Sequence, residues 1–221
     1  MATSGTVVFR PDIGEIVIEA MERCLIDPSK VTRKQVLTAR RSLNLLFVEW
    51  AVKGINYWTT AQTTLALVAG TATYTLPVGT VDVLDAVIRR SSADTGLTRV
   101  SLTDYNALPD KDTQGKPSQF FFDRQYTPQI YLYPVPENAT DTIVYWEFLQ
   151  MEDVAQSQQD ADVPYRWTEA MCAGLASKMS IKIKGMPNDR IMLLGAQAQS
   201  AFEDAATEEG EKASLKIIPV E

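Results

Sequence analysis

The chain has 221 residues, enough for one large domain or two small ones, and its 45% apolar and 22% charged composition is that of an ordinary globular protein. Its 21 basic and 28 acidic side chains leave a net charge of −7, which argues against a generic nucleic-acid-gripping surface while leaving room for a local basic patch. Histidine is absent, which removes His-based triads, the usual zinc sites and imidazole acid–base chemistry.

Residues 1–11 read as a small-residue arm that ends at Pro11, with neither a basic start nor a long apolar core of the signal-peptide kind. Asp12 and Glu15 have the spacing of a capping box. Ile13, Ile16, Val17, Ala20, Met21, Cys24 and Leu25 follow at three- and four-residue steps, which predicts an amphipathic helix ending at Asp27-Pro28-Ser29. Thr32 and Gln35 form a second capping box, and a second helix is predicted to about Lys53 with Gly54 as its stop. Val36, Arg40, Leu43, Phe47 and Trp50 line one side of it. Leu37, Leu45, Val48 and Val52 widen the apolar arc, which predicts a central helix with neighbours on several sides. Arg33, Lys34, Arg40 and Arg41 give its first half a basic face, readable as a solvated surface or as a contact for nucleic acid or an acidic partner.

From Tyr57 to Met151 the pattern changes to β-branched and aromatic residues alternating with polar ones. Thr63–Val68 and Thr71–Leu76 flank Ala69-Gly70 and read as a hairpin. Further strands are predicted at Val81–Arg90, at Leu97–Leu102 after a turn at Asp94-Thr95-Gly96, and at Thr142–Leu149, with one helical turn over Thr103–Leu108. The most legible stretch, Lys116–Pro136, holds two dense aromatic runs around a polar turn and reads as the central hairpin. Six to eight short strands at this spacing predict an antiparallel sandwich or barrel.

Gln156–Asp162 is polar and reads as a linker. A third long helix is predicted from Pro164, with small residues Ala170, Ala173, Gly174 and Ala176 that let another helix approach closely. Gly185-Met186-Pro187 breaks it, and a fourth helix runs from Asn188 to Glu208. Its acidic end opposes the helix dipole and so is expected to face water or a basic partner. The tail, Ser214–Val220, is apolar and extended, suited to packing on its own subunit or to adding a strand to a neighbour. The fold class is therefore α+β: a bundle of about four helices (12–56 and 163–210), an inserted antiparallel β-sandwich or barrel-like domain (57–152) and an extended arm (211–221). The helices on either side of the insertion must come together to bury their stripes.

Catalytic constellations are scarce. None of the phosphate-loop, dinucleotide, nucleophile-elbow or zinc-protease motifs occurs. Asp82 with Asp85, and Asp110 with Asp112, are the pairs open to carboxylate hydrolysis, but both lie in turn-like sequence. Phe120, Phe121, Phe122, Tyr131, Tyr133, Tyr145 and Trp146 could stack on sugars or bases, or form a β core with an exposed rim. Cys24 and Cys172 sit among apolar residues and are expected as buried, reduced thiols, and no apolar run approaches the roughly 20 residues that span a bilayer. These features together predict a soluble protein made in a reducing cytoplasm, with no cofactor and no metal.

Several words, in order, carry a resemblance: Arg40-Arg41-Ser42-Leu43-Asn44-Leu45-Leu46 through Glu49-Trp50, Tyr74-Thr75-Leu76-Pro77 with Val81-Asp82-Val83-Leu84, and Lys116-Pro117-Ser118-Gln119-Phe120-Phe121 with Tyr131-Leu132-Tyr133-Pro134-Val135-Pro136. Asp162-Val163-Pro164-Tyr165-Arg166-Trp167 and Glu211-Lys212-Ala213-Ser214-Leu215 complete them. The chain resembles the head-to-tail adaptor (connector) proteins of tailed bacteriophages, of the podoviral tail-tube adaptor type. The resemblance implies a non-enzymatic virion protein, assembled in the bacterial host cytoplasm. It would form a homo-oligomeric ring, commonly a 12-mer, between the portal and a downstream tail or nozzle protein. Genomic DNA would pass through without sequence-specific binding. It further implies portal docking by Leu215, Lys216, Ile217, Ile218, Pro219 and Val220, and a channel face that includes Glu203, Asp204, Glu208 and Glu209. Phe121, Tyr126, Tyr131 and Tyr133 are the candidates for a subunit or tail interface. The alternative reading is a carbohydrate-binding or host-recognition protein that uses the aromatic β part.

Overall fold

In the computed structural model, which describes residues 9–54 and 57–209, helix α1 (Ile13–Arg23) starts where Asp12 accepts a 2.8 Å hydrogen bond from the Glu15 amide. The N–H groups of Ile13 and Gly14 donate to the carbonyls of Gln159 and Ser157, so the polar stretch 156–162 completes the cap of α1 instead of swinging free. Helix α1 closes in a Schellman turn: Ile26 N–H donates to the Met21 carbonyl, Leu25 N–H to that of Glu22, and Leu25 takes the left-handed conformation at φ 59°. That turn rotates Leu25 out of the apolar stripe into solvent, whereas Ile13, Ile16, Val17, Ala20, Met21 and Cys24 are buried as the spacing predicts.

Helix α2 (Arg33–Val52) begins at a reciprocal capping box between Thr32 and Gln35. A short 3₁₀ turn (Tyr165–Trp167) leads into α4 (Thr168–Ser180), and α5 (Asn188–Glu209) follows the break at Gly185-Met186-Pro187. The central helix is α4, not α2. Residues 170–176 of α4 are all buried, and α1, α2 and α5 all pack on it. The physical reason is size. A run of Ala and Gly lets three helices approach at once; a Cβ added to Gly174 would lie 2.8 Å from Leu46 Cδ2. Trp167, fully buried, sits at the heart of an aromatic cluster, with ring centroids 5.0 Å from Trp50, 5.4 Å from Trp58 and 5.7 Å from Phe202. Asn44 of α2 holds the segment entering this core, accepting from Val154 N–H at 2.9 Å.

The second compact unit is Thr59–Gln150; the described residues up to Trp58 and from Met151 on make the first. Two four-stranded sheets form the second unit. One has the order β1 (Thr60–Ala66), β10 (Thr142–Leu149), β3 (Thr80–Arg90), β4 (Ala93–Gly96), all antiparallel. The other has the order β2 (Thr73–Thr75), β8 (Gln129–Tyr133), β7 (Gln119–Asp123), β5 (Thr98–Arg99), antiparallel except for β5 on β7. A small parallel pair joins β6 (Gln114–Gly115) to β9 (Val135–Pro136), and α3 (Leu102–Asn106) lies between β5 and β6. Val83, Ala86, Ile88, Ile143 and Tyr145 from the first sheet share one core with Tyr74, Phe120, Phe122, Ile130 and Leu132 from the second. The protein is thus α+β with an inserted β-sandwich.

Three local expectations are corrected. The stretch Thr63–Leu76 is not a hairpin: β1 and β2 belong to different sheets, and the chain crosses between them. The crossing is held by other partners, since the Tyr74 hydroxyl bonds both the N–H and the carbonyl of Val68, and Gly70 N–H, at φ 76°, donates to Pro136. The turn lies at Ser91-Ser92, both at positive φ in a two-residue hairpin loop, and Asp94-Thr95-Gly96 is strand. Leu102 opens α3, where Ser101 and Asp104 form a capping box, so the strand after Leu97 is reduced to Thr98–Arg99.

Burial pushes the Cys24 and Cys172 thiols up to about 11, and Cys24 donates to the Ala176 carbonyl at 3.3 Å. An unfolded thiol ionises near ~8.5. Between those values the unfolded chain gives up protons that the folded chain keeps, so stability falls as pH rises. At pH 8 both thiols of native protein are expected to react with an aromatic disulfide at least about a hundredfold more slowly than after unfolding. Equal rates in the two states would contradict the burial.

Candidate functional site

The outward face of α2 is the largest departure from the sequence reading. Leu37, Leu45, Val48 and Val52 were expected to meet neighbours, yet they are 49%, 53%, 51% and 83% exposed. They recur at helical spacing on one face, with Arg41 on the same face between Leu37 and Leu45, so the apolar surface is continuous only over Leu45, Val48 and Val52. Arg41 is exposed within this face and Arg33 and Lys34 at its N-terminal end, and Arg40 Nε is buried without a hydrogen-bond partner among the described residues. Leu37, Arg40, Arg41, Asn44, Leu45 and Val48 line a shallow groove there. Sequence patterning could not separate this stripe from a buried one, because apolar residues at the right period look the same on either side of a helix.

A second groove runs along α1. Phe9, Pro11, Ile16 and Ile18 meet Thr168 and Cys172 of α4 there, and Glu15, Glu19 and Glu22 rim it. Arg23 closes one end. Its guanidinium binds Glu169 with two bonds of 2.7 and 2.8 Å and Glu19 with one of 2.8 Å. The hydrogen bond from Arg23 holds the Glu169 carboxyl below its usual range.

Beyond that pair lies a cleft lined by Arg23, Arg166, Arg190, Asp204 and Glu208. Arg190 donates to the Arg23 carbonyl from Nε at 3.0 Å and Nη2 at 2.7 Å. The acidic end of α5 therefore does not present one surface. Asp204 and Glu208 look into an arginine-lined cleft, whereas Glu203, exposed, takes a bond from Gln199 and lies outside it. The side chain of Glu209 is outside the described residues, as are Leu215, Lys216, Ile217, Ile218, Pro219 and Val220.

In the sandwich, strand alternation splits the aromatic set. Phe120 and Phe122 point into the core; Phe121, Tyr131 and Tyr133 point outward and are half-buried. Tyr105 of α3, a residue that sequence reasoning passed over, lies 5.8 Å from Phe121 in a stacked arrangement and 5.6 Å from Tyr131. It takes up part of the ring surface of Phe121 and Tyr131 on which a sugar or base would stack. Tyr126, at 92% exposure on the β7–β8 loop, stands apart from them.

The carboxylate pairs are occupied by structure. Arg99 and Arg124 both bind Asp82, Asp85 bonds the Ala86 N–H, and Asp110 holds the Asp112 N–H and the Thr113 hydroxyl of its own turn. Among the described residues no group of three or more Cys, Asp or Glu side chains is placed to hold a metal ion, and no helix is long and apolar enough to cross a membrane.

In comparison with known proteins, the model of the SU10 adaptor protein family matches residues 12–216, a span that runs through both units. No curated protein matches the chain.

Proposed function

Because the chain belongs to the SU10 adaptor protein family, and is thereby a phage adaptor and a structural component of the virion, we propose that it is a ring-forming head-to-tail connector. In this reading, copies of the chain assemble in the host cytoplasm into a ring, of 12 subunits in the manner of podoviral tail-tube adaptors. The ring sits between the portal and the next tail or nozzle protein, and DNA passes through its channel during ejection without being read. The protein performs no catalysis in this role, and Asp82 and Asp85 serve the sandwich.

The observation that carries the reading is the family match across both the helical unit and the sandwich. The exposed apolar residues of α2 support it, because Leu45, Val48 and Val52 lie together on one helix face with Leu37 about two turns further along, and clustered exposed apolar side chains mark contact surfaces. The packing of Tyr105 against Phe121 and Tyr131 uses part of the ring surface that the glycan-binding alternative needs.

Purified protein mixed with purified portal rings, and imaged by electron microscopy, is expected to show a second ring stacked on the portal. Absence of portal binding at high micromolar protein would sink the proposal. In the same experiment, deletion of Leu215–Val220 is expected to abolish stacking while leaving the melting temperature unchanged. A large drop in melting temperature would instead assign the tail to the subunit's own core.

A further inference from the structure

We infer that the outward face of α2 and the groove along α1 are two halves of one contact, made between two copies of this chain. The inference rests on the ring reading above and names the surfaces that would build it. Both surfaces lie on the helical unit and share no residue. Each holds exposed apolar side chains, Leu37, Leu45, Val48 and Val52 on α2, and Phe9 ahead of α1 with Ile18 on it. They carry opposite charge: Arg33 and Lys34 at the N-terminal end of the α2 face and Arg41 within it, against Glu15 and Glu22 in the α1 groove, none of which has an ion-pair partner among the described residues.

Arg40 adds a separate observation. Arg40 lines the α2 groove with its Nε enclosed and unpartnered among the described residues, and a carboxylate from a facing chain would meet that demand only if the side chain turned outward. Packing α2 on α2 across a two-fold axis would bring the like charges of Arg33, Lys34 and Arg41 together. Packing α2 on the α1 groove of the next copy pairs opposite charges and covers the exposed apolar side chains of both. Such a contact joins two different faces of one chain, so it repeats head to tail and closes into a ring when the rotation allows.

The test uses the full chain assembled on portal rings. Leu45→Glu with Val48→Glu is expected to raise the protein concentration needed for half-maximal assembly by about a hundredfold, with an unchanged melting temperature, since both side chains are already half-exposed in the monomer. Arg41→Glu alone is expected to raise it by about tenfold, a typical loss for a charge facing its complement across an interface. Adding Glu22→Lys or Glu15→Lys to Arg41→Glu should recover most of that loss, and adding Glu203→Lys, outside the groove, should not. The contact is overturned if the Leu45/Val48 variant assembles like wild type, or if only Glu203→Lys restores Arg41→Glu. Wild-type protein run alongside reports on the ring proposal itself. If wild type fails to stack on portal, that proposal falls and takes this contact with it; if wild type stacks and the variants behave alike, only the contact falls.

Discussion

Replacing Trp167 with Ala should destabilise the helical unit by about 4 kcal/mol, within the usual range for deleting a fully buried aromatic. The indole is wholly buried, and three rings surround it, on α2, on the segment before the sandwich and on α5. Removing it therefore opens a cavity at the point where segments from both ends of the chain meet. The walls cannot collapse easily, because α4 is already in close contact with α2 at Gly174 and Leu46. At about 2–4 °C per kcal/mol for a chain of this size, the melting temperature should fall by about 8–16 °C. Trp167→Phe keeps an aromatic ring in the cluster and should lose less than half as much. Thermal unfolding followed by circular dichroism decides it: a fall of under about 3 °C for Trp167→Ala would mean that the cluster does not hold the unit together.

Phe120→Ala should have a comparable effect in the sandwich, a loss of about 3–5 kcal/mol. Phe120 lies on β7 opposite Leu132 of β8, and it is 1% exposed in the core shared by both sheets. Its neighbour in sequence is the control. Phe121 points outward beneath Tyr105, so Phe121→Ala leaves no enclosed cavity and should lose clearly less. Urea titration of the two variants tests the alternation directly. Equal losses, or a larger loss for Phe121→Ala, would put the strand in the opposite register. Trp167 and Phe120 belong to different cores, so the double variant should lose about the sum of the two.

Much of the local structure was legible because its causes are local. The capping box of Thr32 and Gln35 appears as read, since a side chain three residues away is enough to satisfy the orphan amides. In the Asp12–Glu15 pair, Asp12 takes up the Glu15 amide as the spacing suggests. The hairpin within Lys116–Pro136 forms with Gln119 opposite Tyr133, because two aromatic runs around a polar turn can pair only with each other at that distance. The inward set of β3 was harder. Alternation from Val83 would send Val87 inward, yet Ala86 and Ile88 are the buried residues. The pairing shifts between Trp146 and Glu147, which face Asp85 and Val83, so Leu84 is an extra residue that reverses the faces of the strand.

The candidate surfaces divide in the same way. Family words distributed along the chain led to a phage adaptor, and the family match agrees at that level. The interaction surfaces needed the fold. Tyr105 and Phe121 are distant in the chain, and only the path of α3 over the second sheet stacks them. Arg23 and Glu169 are 146 residues apart, and their bond depends on α1 lying against α4.

By itself the sequence determined the class of the protein: two helical segments around a β insertion, a chain without histidine chemistry, and the period of each apolar stripe. Those follow from composition and from contacts within a few residues. Only the tertiary structure decided which helix is central and which stripe is bare. Centrality went to α4 because its Ala and Gly residues admit three neighbours, and with those three helices gathered on α4 no described helix remains for the far side of α2. A period of 3.6 residues says that a helix has an apolar face. Whether that face is turned toward the core or toward another molecule depends on how many partners the rest of the chain supplies.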